Sequence, residues 1–378
     1  MENRICKGNG CHPRRPVIEY QKNPIKMEEH EMIDVAALGE LLIDFAPVSV
    51  DADGYPTMAA HPGGAPANFL AALARFGAST ALLGKVGTDT FGRLLTATLQ
   101  KAGIGTRGLV ADDAVFTTLA FVTLDETGDR DFAFSRKPGA DTCLRFEELD
   151  LSLIDECRVF HFGTLSLTDE PARSATCRAV AYAQSRGKLI TYDPNLRLPL
   201  WKDLKVCREQ LLWGLGQADV VKISDEEVEF LFGLGPEEGA QHILDAFGVQ
   251  LVFVTCGAAG CFFQNAAASG WVPGLRGIRV VDTTGAGDIF GGSAVWKLLQ
   301  LGKAPGALNG EELRDVVRFA CTAAGLSTTR SGGISSVPSY EEVLARLGCR
   351  KRACCISQRA HCRICRLSAA QPFIQTAR

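Results

Sequence analysis

The segment VDTTGAGDIFGGS, residues 281 to 293, combines four glycines with a carboxylate, Asp288, directly before an apolar run. A glycine-rich turn that leads into a helix leaves backbone N–H groups without intrahelical acceptors, and the helix dipole adds partial positive charge there. Such a turn can bind an anion such as phosphate. We expect Gly285 and Gly287 to let a ligand approach the backbone, and Thr283 or Thr284 to cap the helix.

Asp288 gives the glycine turn a chemical interpretation. A carboxylate beside a phosphate site repels the ligand, so its presence suggests a task. That task is to take the proton of a substrate hydroxyl as the oxygen attacks a phosphoryl group, while backbone amides hold the developing charge. The alternative is that the turn only packs the chain and Asp288 caps a helix. The segment fits neither GxGxxG nor the GxxxxGKS/T phosphate loop.

Short apolar strands alternate with amphipathic helices along the centre of the chain. This alternation predicts an α/β fold with a mainly parallel sheet that is covered on both faces. Ligands of such sheets bind beyond the carboxyl ends of the strands. The strands are predicted at MIDVAALGELLIDF, STALLGKVG, RVFHFGTL, KLITYDPNL, ADVVKIS and LVFVTCG, and two helices at ANFLAALARFG and FGRLLTATLQKAG.

Residues 117–136 break this alternation. They contain two β-rich runs around a turn at 126–129, a pattern typical of a hairpin. Together with residues 45–62 they are predicted to form a small sheet outside the main one. We interpret the segments at about 45–62 and 113–136 as a lid over a small-molecule site; the alternative is a purely structural excursion.

The two ends differ from the centre. Residues 1–31 are polar and aperiodic, and residues 349–378 are basic and cysteine-rich, so both are predicted to be disordered extensions. A zinc site at Cys362 and Cys365, with His361 and Cys355, is the alternative for the second, but it lacks another well-spaced pair. The net charge of −3 and the absence of a long apolar run favour a cytoplasmic protein without a nucleic-acid or membrane partner.

Two long segments carry a family resemblance. GGAPANFLAALARFGASTALLGKVGTDTFG, residues 63 to 92, and DTTGAGDIFGGS, residues 282 to 293, resemble the two signatures of the ribokinase (PfkB) family of sugar kinases. The resemblance covers about 33–345. It implies a ribokinase-like three-layer α/β/α sandwich with a small β lid, formed by a sugar kinase domain at 32–348.

The resemblance also implies an activity. It is the transfer of the γ-phosphate of ATP to a sugar hydroxyl, dependent on Mg²⁺ and stimulated by K⁺. The segments GELLIDF, TYDPNLRLPLW and VKISDEEVEFL resemble the fructokinase branch, which implies fructose and ATP as substrates and fructose 6-phosphate as product. A kinase for 2-keto-3-deoxygluconate or a riboside, or a catalytically inactive scaffold, are the alternatives, and a homodimer is left open.

The same resemblance assigns roles to individual residues. For Arg197, the alternative to its assigned role is an ion pair on the surface. For Glu227, the alternative is a solvated position in the acidic first turn of a helix. Ser224 stands where the family often has asparagine. The assigned set is the base Asp288; the anion hole Gly285, Ala286 and Gly287; the substrate residues Asp44, Gly63, Gly64, Asn68 and Arg197; the ATP residues Lys222, Glu227, Thr255, Gly257 and Gly260; and, for a monovalent cation, Asp282, Thr284, Thr328, Ser331, Gly333 and Ser336.

Overall fold

The computed structural model describes residues 32–124 and 130–348. The strands are β1 (Ile33–Leu38), β2 (Leu42–Val50), β3 (Pro56–Gly63), β4 (Thr80–Gly87), β5 (Ile104–Gly105), β6 (Leu109–Asp112), β7 (Leu119–Leu124), β8 (Arg130–Ser135), β9 (Cys157–Gly163), β10 (Leu189–Asp193), β11 (Val220–Ser224), β12 (Leu251–Thr255), β13 (Gly260–Asn265) and β14 (Ser269–Pro273). The helices are α1 (Ala65–Arg75), α2 (Thr90–Lys101), α3 (Ser152–Glu156), α4 (Ala172–Ser185), α5 (Leu204–Gln217), α6 (Asp225–Phe232), α7 (Pro236–Phe247), α8 (Ala286–Leu301), α9 (Gly310–Ser327) and α10 (Tyr340–Arg346).

A large sheet forms the middle layer. Its strand order within the described chain is β14-β13-β12-β11-β10-β9-β1-β4-β5, and β6 also pairs with β4. All pairings from β12 to β5 are parallel, whereas β13 and β14 are antiparallel additions at one edge. The carboxyl ends of β9, β10, β11 and β12 therefore lie along one edge of the sheet, where a ligand site is expected.

Helices cover both faces of this sheet. Successive residues of β1 alternate between the two faces, so that Ala36 and Leu38 belong to one apolar cluster and Val35 and Ala37 to the other. The first cluster includes side chains of α3 to α7, and the second includes side chains of α1, α2, α8, α9 and α10. The predicted three-layer α/β/α architecture with a mainly parallel sheet is confirmed.

A second, four-stranded sheet has the order β3-β2-β7-β8. The predicted hairpin is present, because β7 and β8 pair antiparallel with Leu119 opposite Ser135. The segment 45–62 joins it, since β2 pairs with β3 on one side and with β7 on the other. The turn proposed at 126–129 lies outside the described residues, as do the extensions at 1–31 and 349–378 and the zinc alternative.

Arg136 ties this small sheet to the main layer. It follows β8 directly, and its side chain is buried. The guanidinium donates from Nε to Asp141 at 2.8 Å, from Nη1 to Thr168 at 2.7 Å and from Nη2 to the Leu165 carbonyl at 2.8 Å. A charge-assisted fork of this kind fixes the base of the hairpin.

One strand prediction was wrong. MIDVAALGELLIDF was expected to be a single strand, but the chain leaves the main sheet after Leu38 and enters the small sheet at Leu42. The apolar run gives no sign of the change because Leu41, Leu42 and Ile43 are buried as fully as β1. The division is functionally relevant, since it carries Asp44 away from the sheet and over its carboxyl edge.

Two further observations concern the described chain. None of its helices is long and apolar enough to cross a membrane. Its seven cysteines are free thiols, and four of them are buried, which agrees with their interpretation as small core residues.

Candidate active site

The glycine turn begins helix α8, as the sequence predicts. Gly285 is the residue before the helix, with φ of 75°, and Ala286 starts it. The predicted threonine cap was wrong: the Thr284 hydroxyl donates instead to Asp282 Oδ1 at 2.7 Å. At this helix start, no side chain among the described residues accepts from the first N–H groups. The Ala286 N–H donates to the Thr283 carbonyl at 3.2 Å, so the N–H groups of Gly287 and Asp288 are the donors left for an anion.

Asp288 lies in the first turn of α8 and meets Asn68 of α1. Asn68 Nδ2 donates to Asp288 Oδ2 at 2.9 Å. Asn68 Oδ1 is buried and lacks a hydrogen-bond partner in the part of the chain that the structure describes. A buried amide oxygen without a partner costs free energy, so a donor such as a sugar hydroxyl would suit this position.

The environment of Asp288 raises its pKa. Burial is the main cause, and Glu227 adds repulsion, while Asn68, Lys222 and Arg197 oppose the rise. A raised pKa makes the carboxylate a better proton acceptor than an exposed aspartate, provided that it is ionised near neutral pH.

Asp44 and Arg197 approach the same point from other elements. Burial raises the pKa of Asp44 to about 6, with Arg197 lowering it and Asp288 and Asp282 raising it. Arg197 thus interacts electrostatically with both Asp44 and Asp288. Its influence on two buried carboxylates differs from that of an isolated surface ion pair.

The paired glycines make room for these groups. A Cβ at Gly63 would overlap the Asp44 carboxylate, and one at Gly64 would overlap the Glu40 carbonyl oxygen. Gly64 has φ of 115°, a conformation that residues with a side chain rarely adopt, and it directly precedes α1. The N–H of Ala65, the first residue of α1, donates to the buried Glu40 Oε1 at 2.8 Å. The Gly-Gly pair therefore positions Asp44 and Asn68 together.

Lys222 and Asp193 form a buried ion pair on the other side of Asp288. Lys222 Nζ lies 3.1 Å from both oxygens of Asp193, and a Cβ at Gly287 would lie 3.0 Å from this ammonium. Burial lowers the pKa of Lys222, but Asp193, Glu227 and Asp288 outweigh it, so the ammonium stays charged. Burial raises the pKa of Asp193 against the attraction of Lys222. Asp193 is a site residue that sequence reasoning missed.

Glu227, which the family resemblance assigns to ATP, also has a structural role. Its Oε1 accepts from the Leu196 N–H at 2.7 Å and its Oε2 from the Ser224 N–H at 2.8 Å, while the Ser224 hydroxyl accepts from the Glu227 N–H. This is a capping box at the start of α6. Glu227 is buried, so its alternative as a solvated acid does not describe it.

The residues predicted to bind ATP follow neighbouring strands. Thr255 ends β12 directly opposite Ser224 at the end of β11. Gly257 and Gly260 follow, with φ of 50° and 114°. The structure brings this turn to the same sheet edge as Lys222, as expected from the sequence.

The six residues assigned to a monovalent cation lie in two loops that meet. Asp282 Oδ2 accepts from the Gly332 N–H at 2.9 Å, and the Thr328 carbonyl accepts from the Val281 N–H at 2.7 Å. The Gly333 carbonyl accepts from the Ser336 hydroxyl at 2.8 Å, and the Ser331 carbonyl accepts from Ser335. Oxygens of the predicted type are thus gathered here, each also engaged in hydrogen bonds of the protein.

This arrangement can support one kind of chemistry. A helix start with open N–H groups, an ammonium beside it and a carboxylate in its first turn can hold a phosphoryl group next to a base. A second carboxylate, an amide and a guanidinium facing the base can bind a polyhydroxyl compound. Fold and site together define a phosphotransferase acting on an alcohol group.

Comparison with known proteins gives the family. The model of the pfkB family carbohydrate kinases matches residues 32–340. The chain belongs to this family.

Similar proteins include a plant fructokinase and two bacterial fructokinases of known structure. "Fructokinase-1" of Zea mays is 41% identical over 314 residues, which is 82% of this chain and 96% of that protein. A fructokinase structure from Xylella fastidiosa with bound ATP has a TM-score of 0.77 at 32% identity, covering 83% of this chain and 98% of that one. A Vibrio cholerae O395 fructokinase with fructose, ADP and a calcium ion has a TM-score of 0.73 at 33% identity, covering 84% and 99%.

Proposed function

We propose that the chain is an ATP-dependent fructokinase that converts D-fructose and ATP to fructose 6-phosphate and ADP. The observation that carries the proposal is Asp288, held by Asn68 in the first turn of a helix that starts at a glycine without a side-chain cap. The relatives named as fructokinases support the choice of both substrates. One of their structures contains ATP, and another contains fructose and ADP.

In the proposed reaction, Asp288 removes the proton of the fructose 6-hydroxyl as that oxygen attacks the γ-phosphorus of ATP. The bond from the γ-phosphorus to the bridging oxygen breaks, and ADP leaves. The N–H groups at the start of α8 and the Lys222 ammonium stabilise the charge that develops on the phosphoryl oxygens. Asp44, Asn68 and Arg197 hold the sugar so that only one hydroxyl reaches the base.

The residues present fit the two cations that we propose as cofactors. Asp193, a carboxylate next to Lys222 and within electrostatic range of Asp288, is the kind of oxygen ligand that suits Mg²⁺. The oxygens of Asp282 and of the loop 328–336 suit K⁺, which would stiffen the glycine turn beside them. Mg²⁺ supplies neutralisation of the phosphate charge when ATP is bound.

The substrate assignment is tested by measuring phosphorylation rates with ATP and Mg²⁺ over a panel of sugars at matched concentrations. We expect kcat/KM to be highest for fructose. If ribose or 2-keto-3-deoxygluconate is phosphorylated at least as well as fructose, the assignment to fructose is wrong, although the kinase mechanism would stand.

Asp44→Asn should raise the KM for fructose by about 10- to 150-fold, because hydrogen bonds to a charged group contribute about 1.5–3 kcal/mol. The control is Glu209→Gln, which removes an exposed carboxylate from helix α5, outside the small sheet. As the pH falls through about 6, Asp44 takes up a proton, so the wild-type KM should rise while the KM of Asp44→Asn stays nearly constant. Equal KM values for the two variants at pH 7.5 would remove Asp44 from the sugar site.

We propose that the small sheet closes over the bound sugar and excludes water from the phosphoryl group. Hydrogen exchange of the segments 45–62 and 113–136 should then slow when fructose and a non-hydrolysable ATP analogue are added together. The segment 236–247, which is α7 on the outer helical layer, should not change. Unaltered exchange in the small sheet at saturating ligand would show that it is a structural excursion.

The proposal also covers the oligomeric state and the cellular compartment. We propose a homodimer, since the small sheet exposes the apolar side chains of Val48, Val50 and Tyr55. A light-scattering mass of one chain in solution would contradict it. We also propose that the enzyme acts in the cytoplasm, which fractionation of cells would test.

A further inference from the structure

A cavity of about 390 Å³ lies behind the active site. Its walls come from β3, the C-terminal halves of α1 and α2, and the loop that follows α9. Residues that line it are His61, Pro62, Ala71, Arg75, Thr98, Lys101, Ala102, Arg330, Ile334, Ser335 and Val337. None of these residues of the described chain is acidic, whereas three are permanent cations.

The cations of this cavity come from three separate elements. Arg75 ends α1 and Lys101 ends α2, while Arg330 belongs to the loop after α9. Residues of like charge repel one another, so their convergence on one cavity costs free energy that a bound anion would recover. His61 adds a polar ring to the same lining.

The counter-charges in the structure neutralise only part of this cluster. Arg330 forms an ion pair with Glu342, whose other oxygen accepts from the Ser339 N–H at 2.7 Å. Glu341 and Glu342 are within electrostatic range of Arg75. Across residues 32–124 and 130–348, no ion pair links Lys101 to a carboxylate.

Basic residues in the last turn of a helix have an ordinary explanation, because they complement the negative end of the helix dipole. That explanation covers Arg75 and Lys101 taken singly. It does not account for Arg330, which is not in a helix, nor for a cavity of several hundred cubic ångströms between the three side chains.

Three walls of the cavity continue into the active site. On β3, His61 and Pro62 line the cavity, and the next residue, Gly63, adjoins Asp44. On α1, Ala71 and Arg75 line it, one and two turns after Asn68. In the loop after α9, Arg330 and Ser335 face the cavity, while Gly332 donates to Asp282.

We propose that this cavity is a second ligand site, which binds a small metabolite through its phosphate monoester group. Guanidinium and ammonium groups from different elements match the several oxygens of a dianionic phosphate. The carbon part of a phosphorylated sugar would contact the rest of the lining. This part consists of the hydroxyls of Thr98 and Ser335 and the apolar side chains of Ala71, Ile334 and Val337.

The test is calorimetric titration of the full chain while fructose and a non-hydrolysable ATP analogue are kept at saturation. The probes are glucose 6-phosphate and inorganic phosphate. We expect saturable binding of glucose 6-phosphate with one site per chain, together with slower hydrogen exchange at residues 330–336. Tighter binding of glucose 6-phosphate than of phosphate assigns the site to an ester, and equal binding assigns it to the free ion.

The variants place the binding in the cavity. Arg75→Gln combined with Lys101→Gln should weaken the affinity at least about tenfold, since each substitution removes a charge-assisted hydrogen bond to the phosphate. The control pair, Lys205→Gln with Arg314→Gln, also removes one lysine and one arginine charge, but from α5 and α9. It should leave the affinity within about twofold, because distant exposed charges are screened. No saturable binding of either probe, or equal loss in both pairs, would overturn the proposal. The readout is binding, so it does not depend on the identity of the sugar substrate.

Discussion

Asp288→Asn is expected to lower kcat for fructose by at least about 100-fold, since general-base catalysis typically contributes 10²–10⁴-fold. Asparagine keeps the size of the side chain, and its amide oxygen can still accept from Asn68 Nδ2, but it cannot take up the hydroxyl proton. The dissociation constants for fructose and for an ATP analogue should change little, because the anion site is built from backbone N–H groups. Calorimetry of the inactive variant measures them directly.

The melting temperature of this variant separates catalysis from packing. The folded protein raises the pKa of Asp288, so the ionised carboxylate is less favourable in the folded chain than in the unfolded one above that pKa. A neutral asparagine removes this cost, and we expect a melting temperature at or above that of the wild type near neutral pH. A clearly lower melting temperature would support the helix-cap alternative.

Glu311→Gln is the matched control for Asp288→Asn. Glu311 is also an acid in the first turn of a helix, α9, but it is exposed and far from the glycine turn. If Asp288 acted only through the helix dipole, the two variants would have similar small effects. If Asp288→Asn keeps more than about a tenth of the wild-type kcat, its loss of rate is smaller than general-base catalysis contributes, and the base lies elsewhere.

Gly64→Ala is expected to cause a large loss of stability. The backbone at Gly64 has φ of 115°, and a residue held in a sparsely populated conformation costs about 1–3 kcal/mol. The new Cβ would also overlap the Glu40 carbonyl, which is backbone and cannot rotate away. We therefore expect a loss of about 3 kcal/mol or more in urea unfolding.

The activity of this variant should fall as well. Displacement of Gly64 moves the start of α1, which is held by the hydrogen bond from the Ala65 N–H to Glu40, and with it Asn68. A higher KM for fructose should accompany the lower stability, because Asn68 and Asp44 would no longer face Asp288 together.

Gly77→Ala is the control at the other end of the same helix. Gly77 has φ of 90°, but a Cβ there would meet no atom within 4 Å. It should therefore show only the conformational cost, with an unchanged KM. If the two variants lose equal stability, the close contact between Gly64 and Glu40 does not constrain the site.

The parts of the structure that were predictable from sequence are those with local signals. Helices α1 and α8 each have a glycine before the start and an apolar periodic run behind it, so both were placed correctly. The hairpin of β7 and β8 was recognised by its two β-rich runs on either side of a turn. The division between β1 and β2 was not, because burial on both sides of Glu40 makes the apolar run continuous.

The contacts of the site could not be derived from local patterns. Asn68 and Asp288 are 220 positions apart, and only the family resemblance joined them. Asp193 had a signal, since it stands at the carboxyl end of a predicted strand, yet an aspartate before proline is also common in turns. Its pairing with Lys222 depends on the neighbouring order of β10 and β11, which sequence periodicity does not specify.

The central claim is that the chain transfers phosphate from ATP to the 6-hydroxyl of fructose. The most direct measurement is the ¹³C spectrum of uniformly ¹³C-labelled fructose after incubation with the full chain, ATP, Mg²⁺ and K⁺, with Asp288→Asn as the negative control. The account predicts phosphorus–carbon coupling at C6 and C5 with the wild type, and unmodified fructose with the variant over the same time. Coupling at C1 and C2, or a spectrum of free fructose after prolonged incubation with the wild type, would contradict it.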